Sequence, residues 1–241
     1  PFMLYPNVPD SDAALKSTES SPMEYSIASV LARVMYSYQD KYLFTASFRR
    51  DGSSKFKAGN QYGNFPSFAA GWNIGREAFM ENIELINSLK IRASWGIIGN
   101  EKIGYTNRFA IVNSNLSAIF GTDPAVNAAA SYGNSGNDNL QWESTTQTDI
   151  GLEVGIFNNK LIGEFDYYHR ITEDILIDLS TPGYLGNGQG QKITYNAAEV
   201  LNSGYEFNIN WREKKGDFSY SVGILGSTVN NEVLAIGGNS G

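Results

Sequence analysis

Apolar and polar positions alternate with a period of two through most of this chain. In "KYLFTASFRR", Tyr42, Phe44, Ala46 and Phe48 fall on one side of an extended ribbon, and Leu43, Thr45, Ser47 and Arg49 fall on the other. A strand with one apolar and one wet face reads this way. Further stretches repeat it. Residues 26–38 set Ala28, Val30, Ala32, Val34 and Tyr36 against Ser29, Arg33 and Ser37, and residues 65–76 set Phe68, Ala70, Trp72 and Ile74 against Ser67, Gly71 and Asn73. Residues 89–98 oppose Leu89, Ile91, Ala93, Trp95 and Ile97 to Lys90, Arg92, Ser94 and Gly96. After a long gap the alternation returns over 144–157, 160–172, 203–212 and 217–229, which makes eight predicted strands.

Each run holds about ten alternating residues. That is the length a strand tilted by about 45° needs to cross a hydrocarbon layer, and more than the five or six usual in a soluble sheet. The connections alternate between short and long: Gln39-Asp40, then 51–64, then 77–88, then 99–143, then Asn158-Asn159, then 173–202, then 213–216. Within 77–88, "EAFMENIELIN" reads as a brief amphipathic helix on the short-turn side. Tight turns at one end and large loops at the other are the asymmetry of a transmembrane barrel. Tyr36, Tyr38, Tyr42, Trp72, Phe157, Trp211, Phe218 and Tyr220 all fall at the short-turn ends, where rings with one wet edge suit a bilayer interface. Two other readings of the same pattern remain open at this stage. One is a self-contained eight-stranded barrel with a structural or adhesive role, and the other is a soluble carbohydrate-binding β-sandwich.

Composition supports an all-β chain: among 241 residues there are 25 Gly, 14 Tyr, 13 Phe and 4 Trp. The formal net charge of -7, without a Lys/Arg cluster, argues against nucleic acid as a partner. Cysteine is absent, which removes a disulfide framework, a thiolate metal site and a cysteine nucleophile. No run of 18 apolar residues exists, so no transmembrane helix is expected.

Catalytic chemistry finds little support. The single histidine, His169, shares the apolar parity of Tyr167, and no second histidine or GxSxG motif accompanies it. "GYLGNGQGQ" (183–191) lies between two β runs and opens no helix, so it reads as a loop rather than a phosphate cradle. "GNSGNDN" (133–139) offers oxygens without calcium-loop spacing or its terminal Glu. Neither a cofactor nor a metal is expected. What remains is a polar wall of interspersed charges, which fits a water-filled interior or contact with another polar domain inside it. From the wall and the external connections, the candidates for facing the interior and its substrate are Arg92, Tyr105, Arg108, Tyr132, Asp149, Glu164, Asp166, Tyr168 and Arg170.

In order along the chain, "ASFRRDGSSKF", "YGNFPSFAAGWNIGREAFM", "LKIRASWGIIGN", "LQWESTTQTDIGLEVGIFNNKLIGEFDYYHRITEDILI" and "NAAEVLNSGYEFNINW" resemble the barrel segments of SusC-like (RagA/SusC family) TonB-linked outer-membrane transporters. The resemblance runs from about residue 25 to the end. It implies an antiparallel transmembrane β-barrel of about 22 strands, of which this chain supplies about eight. It further implies location in a Gram-negative outer membrane, a SusD-like lipoprotein partner, and energy from TonB-ExbB-ExbD acting through an N-terminal plug region. The implied cargo is an oligosaccharide or a peptide. The expected division is 1–25 as an external connection, 26–229 as barrel wall and 230–241 as the start of the next external loop. No segment resembles the plug or the TonB box, so the expectation is a fragment of the barrel.

Overall fold

The computed structural model describes residues 24–119, 126–180 and 192–237. It contains eleven strands, joined by turns and three short 3-10 segments, with no α-helix among the described residues. In chain order the strands are β1 (Ile27–Tyr38), β2 (Tyr42–Ser53), β3 (Tyr62–Asn73), β4 (Ile86–Asn100), β5 (Ile111–Ile119), β6 (Val126–Asn134), β7 (Glu143–Ile156), β8 (Leu161–Ser180), β9 (Lys192–Lys215), β10 (Phe218–Ser227) and β11 (Asn230–Ile236). One antiparallel sheet runs β1-β2-β3-β4-β7-β8-β9-β10, with β11 also on β9. β5 and β6 form a separate hairpin inside the long connection between β4 and β7.

Local chemistry sets the tight turns. Gln39 and Asp40 both have φ of 51°, and Asn158 and Asn159 both have φ of 58°. These are the positive-φ pairs of hairpin turns whose twist matches the strands they join. Asparagine tolerates that region best among residues with a side chain.

The register keeps the two parities apart across the whole sheet. One row reads Tyr42–Trp72–Ile91–Leu152–Phe165–Phe207 through successive neighbours. The aromatic residues assigned to the short-turn ends do share one end of the sheet: Tyr38 faces Tyr42, Tyr42 faces Trp72, and Trp211 faces both Leu161 and Val222. Among the described residues no second layer covers the apolar face. Val30 is 72 % exposed and Leu225 82 % exposed, and of the buried apolar residues among those described Phe56, Met80, Ile103 and Leu140 lie in connections, and Ala197 lies near the start of β9. An uncovered apolar face of this extent requires hydrocarbon or a partner, so the sandwich reading fails. The small closed barrel fails as well, because among the described residues β1 pairs only with β2 and β10 only with β9.

Several boundaries differ from expectation. The segment read as an amphipathic helix, 77–88, is a 3-10 turn at Ala78–Met80, after which Ile86 already begins β4. Residues 173–202 are mostly strand: β8 continues to Ser180 and β9 begins at Lys192. Residues 230–236, read as loop, form β11, which carries on the line of β10 beyond a break where Thr228 donates to the Tyr205 carbonyl at 2.8 Å. Asp51-Gly52-Ser53, read as the start of a loop, completes β2. Residues 1–23 and the glycine-rich 183–191 lie outside the described residues.

Candidate functional site

The polar face of β4, β7 and β8 is a connected set of charges. Register sets Lys90 opposite Glu153, Arg92 opposite Gly151, Ser94 opposite Asp149 and Gly96 opposite Gln147. On the next strand Gly151 faces Asp166, Asp149 faces Tyr168 and Gln147 faces Arg170. Lys90 Nζ lies 3.1 Å from Glu153 Oε1, Arg92 Nε lies 3.3 Å from the same oxygen, and Arg92 Nη2 lies 2.8 Å from Asp166 Oδ2. A second chain runs beside it. Arg170 Nε donates to Gln147 Oε1 at 3.0 Å, Gln147 Nε2 donates to Asp149 Oδ1 at 2.8 Å, and Ser94 Oγ donates to Asp149 Oδ2 at 3.1 Å. The pairs are partly solvated, so each contributes at most about 1 kcal/mol. Their consequence is orientation: long side chains that would otherwise move freely are held against the sheet.

Five of the nine candidates come together here. Arg92, Asp149, Asp166, Tyr168 and Arg170 line one concavity together with Ser94, Gln147, Asn202 and Glu206. Glu164 sits on the same face of β8, opposite Glu153 and Asn208, and lines a neighbouring hollow. Tyr168 donates to the Thr228 carbonyl at 3.3 Å, which ties β8 to the break after β10. Opposite charges alternate within reach of solvent, an arrangement suited to hydrogen-bonding a polar ligand and without a nucleophile–base pair.

The other candidates lie elsewhere. Tyr105 and Arg108 bound a 3-10 turn in the connection between β4 and β5. Arg108 donates to the Phe56 carbonyl at 3.2 Å and stacks 4.3 Å from the Phe109 ring centre, so it belongs to a cap built from the connections rather than to the wall. Tyr132 is on β6 opposite Val112, and its side chain lies outside the described residues.

That cap went unread in the sequence. Phe56, Ile103 and Leu140, from three segments far apart in the chain, bury one another, with Trp142 and Leu176 packed against them. Trp142 lies 5.4 Å from Phe56 and 5.5 Å from Phe65, and its indole N–H donates to the Gln61 carbonyl at 3.0 Å. Thr194 on β9 is held by Asn107, by Asn137 and by Asp178 at 2.7–2.9 Å. Asn137 and Asp138 of the oxygen-rich stretch are thus used in ties, Asp138 pairing with Lys57 at 2.7 Å, and no group of potential metal ligands forms among the described residues. Apolar residues inside otherwise polar connections, in "SSKFK" and "NLQW", were the available signal.

At the opposite end of the sheet, Glu77 gathers the aromatic rim. Its carboxylate accepts from Trp72 Nε1 at 3.0 Å, Tyr42 Oη at 2.8 Å and Lys41 Nζ at 3.1 Å. Those bonds, Trp72 first, hold the carboxyl below the usual carboxylate range.

Residues 4–239 match the family described as TonB dependent receptor-like, beta-barrel. TonB-dependent receptor P26 of Formosa agariphila is 37% identical over 237 residues, covering 96% of this chain and 23% of that protein. TonB-dependent receptor SusC of Bacteroides thetaiotaomicron is 32% identical over 232 residues, covering 94% and 23%. Among solved structures, the RagAB peptide importer in its closed-closed state superposes with a TM-score of 0.79 at 26% identity, over 94% of this chain and 24% of that one. The siderophore receptor PirA of Pseudomonas aeruginosa shares the fold, with a TM-score of 0.56 at 16% identity. The chain therefore spans under a quarter of the length of these two curated relatives.

Proposed function

The chain belongs to the TonB-dependent receptor-like β-barrel family, and from that premise we propose that it is one arc of the wall of an outer-membrane transporter that imports oligosaccharides or similarly large nutrients, peptides included. The observation that carries this reading is the division of one sheet into two faces. An apolar face without a covering layer faces lipid, while the charge ladder from Lys90 to Arg170 faces the passage. In this reading the wall residues Arg92, Asp149, Glu164, Asp166, Tyr168 and Arg170 contact cargo or plug, and no bond is made or broken by them. Tyr105, Arg108 and Tyr132 serve the external entrance. A SusD-like lipoprotein closes over the external cap, and TonB-ExbB-ExbD supplies energy through a plug domain, as the likeness to SusC and to RagAB supports.

The test is direct. Mass spectrometry of outer-membrane fractions, followed with peptides from this sequence, is expected to find a product several times longer than the 241-residue chain, co-purifying with a lipoprotein. Deletion of its gene is expected to abolish growth on one class of oligomer while leaving growth on the monomer intact. Detection in the soluble fraction, or growth unaffected on every oligosaccharide and peptide tried, would overturn the reading.

A further inference from the structure

The apolar face of β1–β4 carries a single cation. Arg50 stands opposite Val30 on β1 and Asn64 on β3, sharing the parity of Phe48 and Phe44, and it is exposed. Its guanidinium lies 4.8 Å from the centre of the Tyr62 ring. Its neighbour Arg49, of opposite parity, takes Asp51 at 2.7 Å, and no carboxylate pairs with Arg50 among the described residues. Arg50 follows Tyr42 of the aromatic rim by eight residues along β2, about 26 Å of strand. At a tilt of about 40° that is roughly 20 Å of height, near the far edge of an apolar band about 25 Å tall.

The wall is interrupted close to this point. β3 and β4 pair from Asn73–Lys90 only as far as Ser67–Gly96, although β3 begins at Tyr62 and β4 runs on to Asn100. Pro66 has no N–H to offer β4. Just below the cleft's base, on the side of the aromatic rim, Phe68 and Trp95 are stacked with centres 6.0 Å apart, and both are exposed.

We propose that this patch binds a phosphate-bearing lipid of the surrounding leaflet. Arg50 and Tyr62 take the phosphate, and an acyl chain runs from there past Phe48 and the cleft beside Pro66 and onto Phe68 and Trp95. The charge supplies the argument for the occupant. An arginine facing lipid is costly unless it meets an anion or water at the interface, and its planar fork matches phosphate oxygens. The ring of Tyr62 holds that fork in place at the headgroup level.

This proposal rests on the outer-membrane placement above, but the two fail separately, because fractionation tests placement and lipid binding is read on the purified receptor. The full-length receptor, extracted in mild detergent, is titrated with bis-phosphorylated lipid A and with its dephosphorylated form, and bound lipid is counted by native mass spectrometry. The phosphorylated form is expected to bind in preference, with inorganic phosphate failing to displace it. Arg50→Gln is expected to weaken that binding about fivefold, and Arg50→Lys to weaken it by less, the charge being kept and the fork lost, heat-modifiable mobility showing that each variant is folded. Equal binding of the two lipid forms by the unaltered receptor, which needs no variant, would overturn the proposal, as would full binding by Arg50→Gln.

Discussion

Arg92 reaches Asp166 over a position that has no side chain. The two residues belong to β4 and β8, and β7 lies between those strands, yet Nη2 and Oδ2 are 2.8 Å apart. Gly151 is the β7 residue opposite both. A Cβ on it would meet Asp166 Oδ1 and stand 2.6 Å from Arg92 Nε. Glycine inside a strand weakens the strand, and here it clears the path by which one ion pair fastens three strands.

Replacing that glycine tests the relationship. Gly151→Ala in the full-length receptor is expected to cost up to about 1 kcal/mol, the worth of the partly solvated ion pair it pushes apart, read as a lower urea midpoint of the folded barrel. Combining it with Asp166→Ala should recover part of the loss, because the side chain it displaces is gone. A midpoint unchanged by Gly151→Ala would mean that Arg92 has another route.

The cap around Phe56 should come apart without the wall. Phe56 is fully buried, and Phe56→Ala is expected to cost the cap about 3–5 kcal/mol. Because its neighbours are other connections, limited proteolysis on intact cells should then cut within 54–61, 101–110 or 137–142 while heat-modifiable mobility persists. Loss of the folded barrel itself would show that the cap supports the strands.

Acid should loosen the opposite rim through Glu77. Its carboxyl is held below its ordinary value by Trp72, Tyr42 and Lys41, so the stabilisation it gives is present above the unfolded value, about 4.3, and is lost as pH falls through the depressed folded value. Hydrogen exchange at 77–83 is expected to rise in that acid window. In Glu77→Gln the exchange should already be raised at neutral pH and depend less on acid. Parallel curves for the two proteins would remove Glu77 as the cause.

The cleft beside Pro66 makes a prediction about the backbone. The β4-facing amides of β3 beyond Pro66 lack a strand partner, while those of Ser67–Asn73 have one. Exchange is therefore expected to be faster over 62–65 than over 67–73. Phe65→Ala should widen the difference, since the Phe65 ring lies against Gly99 and beside Trp142. Uniform protection along β3 would contradict the interruption.

The eight wall strands were legible because a sheet wet on one side and greasy on the other writes its period into the chain, and the tight turns marked their ends. The upper parts of β8 and β9 were not. Asp174, with φ of 56°, sits in a register shift between Thr172 and Ile175, and such a shift disturbs the alternation on which the reading depended. In 77–88, Phe79, Ile83 and Ile86 have the spacing of a helical stripe, but Ile86 is claimed by β4 opposite Ile156, a contact no local pattern announces. For the site, parity identified the wall charges, while their pairing needed register. Arg108 and Tyr105 looked equivalent to them as polar residues, although their place depends on which connections meet.

The three ties on Thr194 have a mechanical consequence. Asn107 and Asn137 come from the connection between β4 and β7, Asp178 comes from β8, and Thr194 itself sits near the start of β9, where that strand runs on far past its pairing with β10. Lys57 and Asn60 fasten the β2–β3 connection to the same body through Asp138 and Leu140. These pieces form a truss braced on the tall β8–β9 hairpin, so a load placed on any one of them is borne by all.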